Sequence, residues 1–153
     1  MKFDTKRYGA SVENLPVVSA FVEECADRFD LDDRKKFGLL LALEEAFVNI
    51  CSHAYPDGAG EAGITCTGDG DDFVLEIADR GTAFDVLSLP DPDITLDISD
   101  RQIGGLGIHF IRTLTDSVSY HHENGQNLLR MTFKRRHMGL KDLALTEQCD
   151  DGR

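Results

Sequence analysis

Several things are scarce in this sequence, and each scarcity removes a class of protein. Positive charge comes first: 16 Lys plus Arg stand against 28 Asp plus Glu, a formal net charge of −12 over 153 residues. A surface this acidic disfavours nonspecific binding to nucleic acid or anionic membranes. It tolerates basic protein partners, although solubility is the simpler reason for it. Cysteine is sparse and unpaired in sequence. Cys25, Cys51, Cys66 and Cys149 form no C-x-x-C motif and show no metal-site spacing. Cys25 and Cys51 sit among apolar residues at helical spacing and read as small buried hydrophobes in a reducing compartment. The N-terminus MKFDTKRYGA has no apolar run, so no signal peptide is expected. No segment approaches the apolar length expected of a bilayer crossing. Internal repeats and low-complexity tracts are missing as well. What remains is an ordinary globular balance, 41% hydrophobic and 29% charged. The expectation is one cytoplasmic domain without a nucleic-acid or membrane partner.

The chain then divides by its periodicities. Residues 2–12 suit a short edge strand. In NLPVVSAFVEECADRF, apolar residues at Leu15, Val18, Phe21, Val22, Cys25 and Phe29 follow helical spacing, with Asn14 as the expected cap and Pro16 in the first turn. Asp32 is a good cap for a second helix, which should stop near Ala54 because Pro56 and Gly58 follow. ITCTGD and FVLEIAD read as a hairpin. The next 26 residues or so, RGTAFDVLSLPDPDITLDISDRQIGG, keep no period, and a loop this long is commonly a functional lid. LGIHFIRTLTDS is helical, and VSYHHE with NLLRMTFKR forms a last hairpin about Asn-Gly. Residues 1–136 form the domain, and residues 137–153 a tail with a short helix and a frayed end. The order predicts an α+β fold, a two-layer α/β sandwich with helices on one face of a mixed, mostly antiparallel sheet.

Three stretches carry chemistry. LALEEAFVNICSHAYPDG places Glu45, Asn49 and His53 four residues apart, on roughly one helix face. Taken singly, each has an ordinary reading, such as a solvated glutamate or a histidine complementing the helix dipole. Together they offer a carboxylate able to accept a hydroxyl proton and an amide oxygen suited to Mg2+. In IADRGTAFD a strand ends at Asp79, whose carboxylate can accept from an exocyclic amine, and Gly81 permits close backbone approach. Alone, D-x-G is a common turn. In RQIGGLGI, Gly104, Gly105 and Gly107 precede a helix, where backbone N–H groups can cradle phosphate and Arg101 can add charge. This is neither a Walker A motif nor a strand-following G-x-G-x-x-G.

In this order the three stretches resemble the N box and two glycine boxes of the ATP-binding (Bergerat) fold shared by gyrase, heat-shock chaperones of that type, histidine kinases and mismatch-repair ATPases. E-x-x-x-N-x-x-x-H-A-Y, D-x-G-x-x-F-D and G-G-L-G-I together resemble the bacterial anti-sigma-factor serine kinases, over roughly residues 10–135. That resemblance implies Glu45 as the general base, Asn49 as the Mg2+ ligand, and Asp79 with Gly81 at the adenine. It also implies Gly104, Gly105 and Gly107 along the phosphates of ATP or ADP, with Arg101 on the lid. His53 belongs to the same nucleotide-binding pattern, and Thr132 matches the hydroxyl residue near adenine. The second glycine of the wider D-x-G-x-G form is Ala83 here.

The resemblance further implies an ATP-dependent protein serine kinase. Such a protein phosphorylates an anti-sigma-factor antagonist, sequesters a sigma factor, and often forms a homodimer. The competing expectation is a nucleotide-dependent binding module without transfer. The ATP-binding part of a two-component histidine kinase is disfavoured, because only about a dozen residues precede the first helix. Glu44 lies about 100° round the helix from Glu45, so it should not share the role of base.

Overall fold

A computed structural model describes residues 2–55, 60–83, 85, 87 and 105–135. Strand β1 (Lys2–Gly9) passes through a 3-10 turn (Val12–Asn14) into helix α1 (Leu15–Phe29), then helix α2 (Asp33–Asn49), which ends in a π turn (Ile50–Ala54). Strands β2 (Glu61–Asp69) and β3 (Asp72–Asp79), helix α3 (Gly105–Leu114), and strands β4 (Ser117–Glu123) and β5 (Gln126–Lys134) complete it. The sheet order is β1-β2-β3-β5-β4. Every pairing is antiparallel, so the sheet is not mixed among the described strands. The expected α+β sandwich and the edge position of the first strand are both present.

Alternation along the strands makes the two layers. On β2, Ala62, Ile64 and Cys66 are buried, and on β5, Asn127, Leu129, Met131 and Phe133 are buried. The intervening residues, such as Thr65, Leu128 and Thr132, point to the other face. The helices cover the first face, and the fully buried Leu39, Leu43 and Phe47 of α2 meet Phe73, Leu75 and Ile77 of β3 in one cluster. Both hairpins close in two residues. Asn124 and Gly125 have φ of 55° and 74°, the paired positive values of a type I′ turn.

The helix starts hold one correction. Asp32 caps α2 as expected, its side chain accepting from the Lys35 N–H at 2.9 Å. Asn14 occupies the N-cap position of α1 but makes no capping bond. The 3-10 turn already gives it helical φ and ψ of −85° and −6° rather than the extended pose a cap requires. Its amide instead donates to the Gly9 carbonyl at 2.9 Å and ties the end of β1 to α1.

A second correction concerns bilayer length. The continuous helical stretch Asp33–Ala54 has 22 residues and, by length and composition alone, is apolar enough to cross a membrane. Its apolar residues Leu39, Ala42, Leu43, Ala46 and Phe47 are committed to the core. Cys25 and Cys66 are buried, whereas Cys51, on the π turn, is half-buried rather than buried as expected. Most of the expected lid, the domain boundary at 136 and the tail lie outside the described residues.

Candidate functional site

The C-terminal end of α2 and its π turn, the end of β3 and the last hairpin line a partly open cleft. Its walls are apolar, from Ala46, Ile50, Ile77 and Leu129. Polar groups converge from three elements: Asn49 and His53, Asp79, and Tyr120 with Asn127. A mostly apolar cavity with a few placed polar groups is the usual form of a small-molecule site.

Asp79 is the buried carboxyl group of this cleft, only 6% exposed. Its Oδ1 accepts from the Gly81 N–H at 2.9 Å and from the Asn127 amide at 2.8 Å. The same amide also reaches the carbonyls of Gly81 and Thr82, each at 3.2 Å. Asp79 therefore closes its own turn with one oxygen, as Asp does in an Asx turn. The sequence assigns Gly81 to a close approach of backbone to a ring; the close approach that the structure shows at Gly81 is instead to the protein's own Ala54. A Cβ there would lie 2.2 Å from the Ala54 carbonyl oxygen, which accepts from the Thr82 N–H at 2.8 Å.

Tyr55 adds a second tie. Its hydroxyl donates to the Glu61 carbonyl at 2.8 Å and accepts from the Arg80 N–H at 2.9 Å. The Ala-Tyr that follows His53 thus joins the helix end to the start of β2 and the end of β3. Further on, the Arg112 guanidinium donates to the Leu87 carbonyl, and Leu87 packs against the core.

Asn49 and His53 reach the cleft together, as the spacing predicts, although a π turn and not an α turn carries His53. Such turns are often found at functional sites. Glu45 stands one helical turn before Asn49 and is half-buried, while Glu44 is exposed. Burial first, and then the neighbouring Glu44 charge, push the Glu45 carboxyl above its ordinary value. Glu45 does not line the enclosed part of the cleft and extends the same helix face beyond it.

Helix α3 runs along that extension. A Cβ on Gly38 would lie 3.5 Å from Leu114, so the end of α3 meets the beginning of α2. The two helices make extensive contact. Only an antiparallel course provides it, because just five residues of α2 precede Gly38. The first turn of α3, with Gly105 and Gly107, therefore lies toward the Glu45 and Asn49 end. Arg101 and Gly104 fall outside the described residues.

Thr132 does not join the cleft. It pairs with Val74 and Ser117 and points to the opposite face, five residues along β5 from Asn127. The polar residue of β5 that meets Asp79 is Asn127, which the sequence reading missed. A signal for it existed: it is the first inward position after the Asn-Gly turn, a polar residue in an otherwise apolar row.

Comparison with known proteins gives the family and the fold. The model of the histidine kinase-like ATPase domain matches residues 8–133. The serine/threonine-protein kinase BtrW of Bordetella bronchiseptica is 30% identical over 132 residues, covering 86% of this chain and 93% of that protein. The serine-protein kinase RsbW of Bacillus cereus is 31% identical over 136 residues, covering 83% and 82%. Among solved structures, the RsbU and RsbW domains of Rv1364c from Mycobacterium tuberculosis share the fold, with a TM-score of 0.59 at 16% identity. That match covers 90% of this chain and 34% of the longer protein. The chain belongs to the histidine kinase-like ATPase family, within its branch of serine/threonine-protein kinases.

Proposed function

We propose that this kinase binds ATP with Mg2+ in the cleft and phosphorylates a serine of an anti-sigma-factor antagonist, and that it alternately sequesters a sigma factor. The observation that carries the reading is that Asp79 and Asn49 line one cleft, with Glu45 one turn before Asn49 on the same helix. Asp79 faces the buried end, where an adenine amine would donate to it. Asn49 is assigned to Mg2+, and Glu45, one turn earlier on α2, to the incoming hydroxyl at the γ-phosphate.

Glu45 accepts the proton of the serine hydroxyl as its oxygen bonds to the γ-phosphorus. The bond from that phosphorus to the β-phosphate oxygen breaks, and ADP leaves. A carboxyl held above its ordinary value by burial is suited to that task. Among the described residues no three His, Cys, Asp or Glu form a metal cluster. Mg2+ would arrive with the nucleotide, held by its phosphates, water and the Asn49 oxygen, and would neutralise phosphate charge. The Gly105 and Gly107 N–H groups, with Gly104 and Arg101, would complete the phosphate contacts. His53 borders the same cleft as a nucleotide contact. The cytoplasm is the setting that the sequence composition suggests, and a homodimer is what the family resemblance implies.

Incubation with labelled ATP, Mg2+ and antagonist proteins from the same genome tests the reading. Transfer to serine that disappears in Glu45→Ala, with ADP binding retained, supports it. Nucleotide binding without transfer to any partner would replace it with a nucleotide-dependent binding module, and no nucleotide binding would refute both.

A further inference from the structure

The Asn127 amide has only one workable orientation. Its nitrogen faces three acceptors, Asp79 Oδ1 and the carbonyls of Gly81 and Thr82. Its oxygen faces the Tyr120 hydroxyl and His122 Nδ1, the latter at 2.8 Å. Turning the amide over would set an oxygen against three oxygens. With the nitrogen inward, the Tyr120 hydroxyl donates to Asn127 Oδ1, and His122 donates from Nδ1–H. The neighbours are well placed for this, because His122 opposes Asn127 directly across the β4–β5 ladder, and Tyr120 reaches it from two residues away on β4.

One Asp79 oxygen is thereby fully engaged, by the Gly81 N–H and by the Asn127 amide. Among the described residues nothing bonds Oδ2, which is left to face a base. A carboxylate fixed in this way presents one acceptor in one direction, which suits an exocyclic amine and rejects a carbonyl oxygen at the same place. Without the amide, the carboxylate can rotate, and its second oxygen can recruit water to serve either base.

We propose that Tyr120 and His122 are positioning residues for base selection: acting through Asn127, they hold Asp79 in the pose that separates a 6-amino purine from a 6-oxo purine. This rests on the reading of the cleft as a nucleotide site. None of the three residues was singled out by the sequence motifs, and His122 is exposed, so its removal need not disturb the core.

The test compares binding of ADP and of inosine diphosphate, which differ at the 6-position, by titration calorimetry. The unaltered protein should prefer ADP by roughly tenfold or more. In the double variant Tyr120→Phe, His122→Ala that preference should fall about tenfold. Loss of equal affinity for both nucleotides, or no change, would make the residues merely structural and overturn the proposal. Asn127→Leu provides a second arm should the double variant be poorly folded by circular dichroism; it should abolish the preference, and a retained preference overturns the proposal. Failure of the unaltered protein to bind either nucleotide refutes the nucleotide reading itself, a result distinct from binding with an unchanged ratio.

Discussion

Gly81 and Ala54 meet so closely that no side chain can stand between them: a Cβ on Gly81 would lie 2.2 Å from the Ala54 carbonyl oxygen and 2.6 Å from its carbon. The contact joins the end of the polar helix to the turn that carries Asp79. Both halves of the cleft are thus held by backbone, and relief would require moving the π turn or the end of β3. Gly81→Ala should cost about 2 kcal/mol of stability, a typical penalty for overpacking. The heavier effect should fall on ADP binding, because separating the two halves displaces Asp79 from Asn49. Urea midpoints and calorimetry on the same preparation measure the two effects, and native-like ADP affinity in a folded Gly81→Ala protein would contradict this account.

Tyr55 does the same work with a side chain. Phenylalanine in its place keeps the ring over Gly60 but leaves the Arg80 N–H and the Glu61 carbonyl without the hydroxyl. The expected loss is about 1 kcal/mol, since both backbone groups lie near solvent and water can replace the missing partner in part. A thermal midpoint lowered by a few degrees in Tyr55→Phe, roughly what 1 kcal/mol produces in a domain of this size, would agree. An unchanged midpoint would show that the bridge is dispensable.

Glu45 sets stability against chemistry. Its carboxyl is held above its ordinary value of 4.5 by burial and by Glu44. The folded protein therefore keeps a proton that the unfolded chain has already released. Stability falls as pH rises from the ordinary value through the raised one, and the deficit persists at neutral pH. Glu45→Gln removes the charge at nearly constant shape. It should gain about 0.5 kcal/mol at pH 7 after allowance for solvent screening, and nothing well below pH 4.5. The same change should abolish phosphoryl transfer. In the unaltered protein the acid limb of the rate profile should lie above the ordinary glutamate range. Denaturation at two pH values and a pH-rate curve supply the measurements.

How far the sequence could be read follows from where the physics is local. The strand alternation, the Asn-Gly turn and the Asp32 cap are local patterns, and all are found in the structure; of the row Glu45, Asn49 and His53, the last two line the cleft. The errors arise where a distant partner decides. Asn14 looks like a cap until Gly9 offers its carbonyl and the 3-10 turn rotates the backbone. Thr132 looks suited to the adenine until the strand period places it on the opposite face. Asn127 goes unnoticed because its meaning depends on Asp79, 48 residues earlier in sequence. The motif glycine at position 81 reads as a close approach to a ring, and nothing in the sequence says that Ala54 also packs against it. Arg101 and Gly104 lie outside the described residues.

Acid should weaken the fold at Asp116. Burial alone would raise this carboxyl, but the Lys134 N–H at 2.7 Å and the Lys35 ammonium at 2.9 Å outweigh it and hold the carboxyl below its ordinary value of 3.8. The unfolded chain therefore takes up the proton before the folded protein does. The stabilisation is complete above pH 3.8 and is lost as pH falls through the lower folded value. Lys35 opens α2 and Asp116 precedes β4, so the pair fastens the helix layer to the edge of the sheet. It is only partly buried, with side-chain exposures of 15% and 26%. Asp116→Asn should cost about 1 kcal/mol at pH 7. The difference from the unaltered protein should shrink as pH drops below 3.8, because protonation then removes the same charge from both. Urea denaturation of the two proteins at pH 7 and near pH 2.5 decides the matter, and a gap that stays constant between those conditions would show that the carboxylate charge contributes nothing.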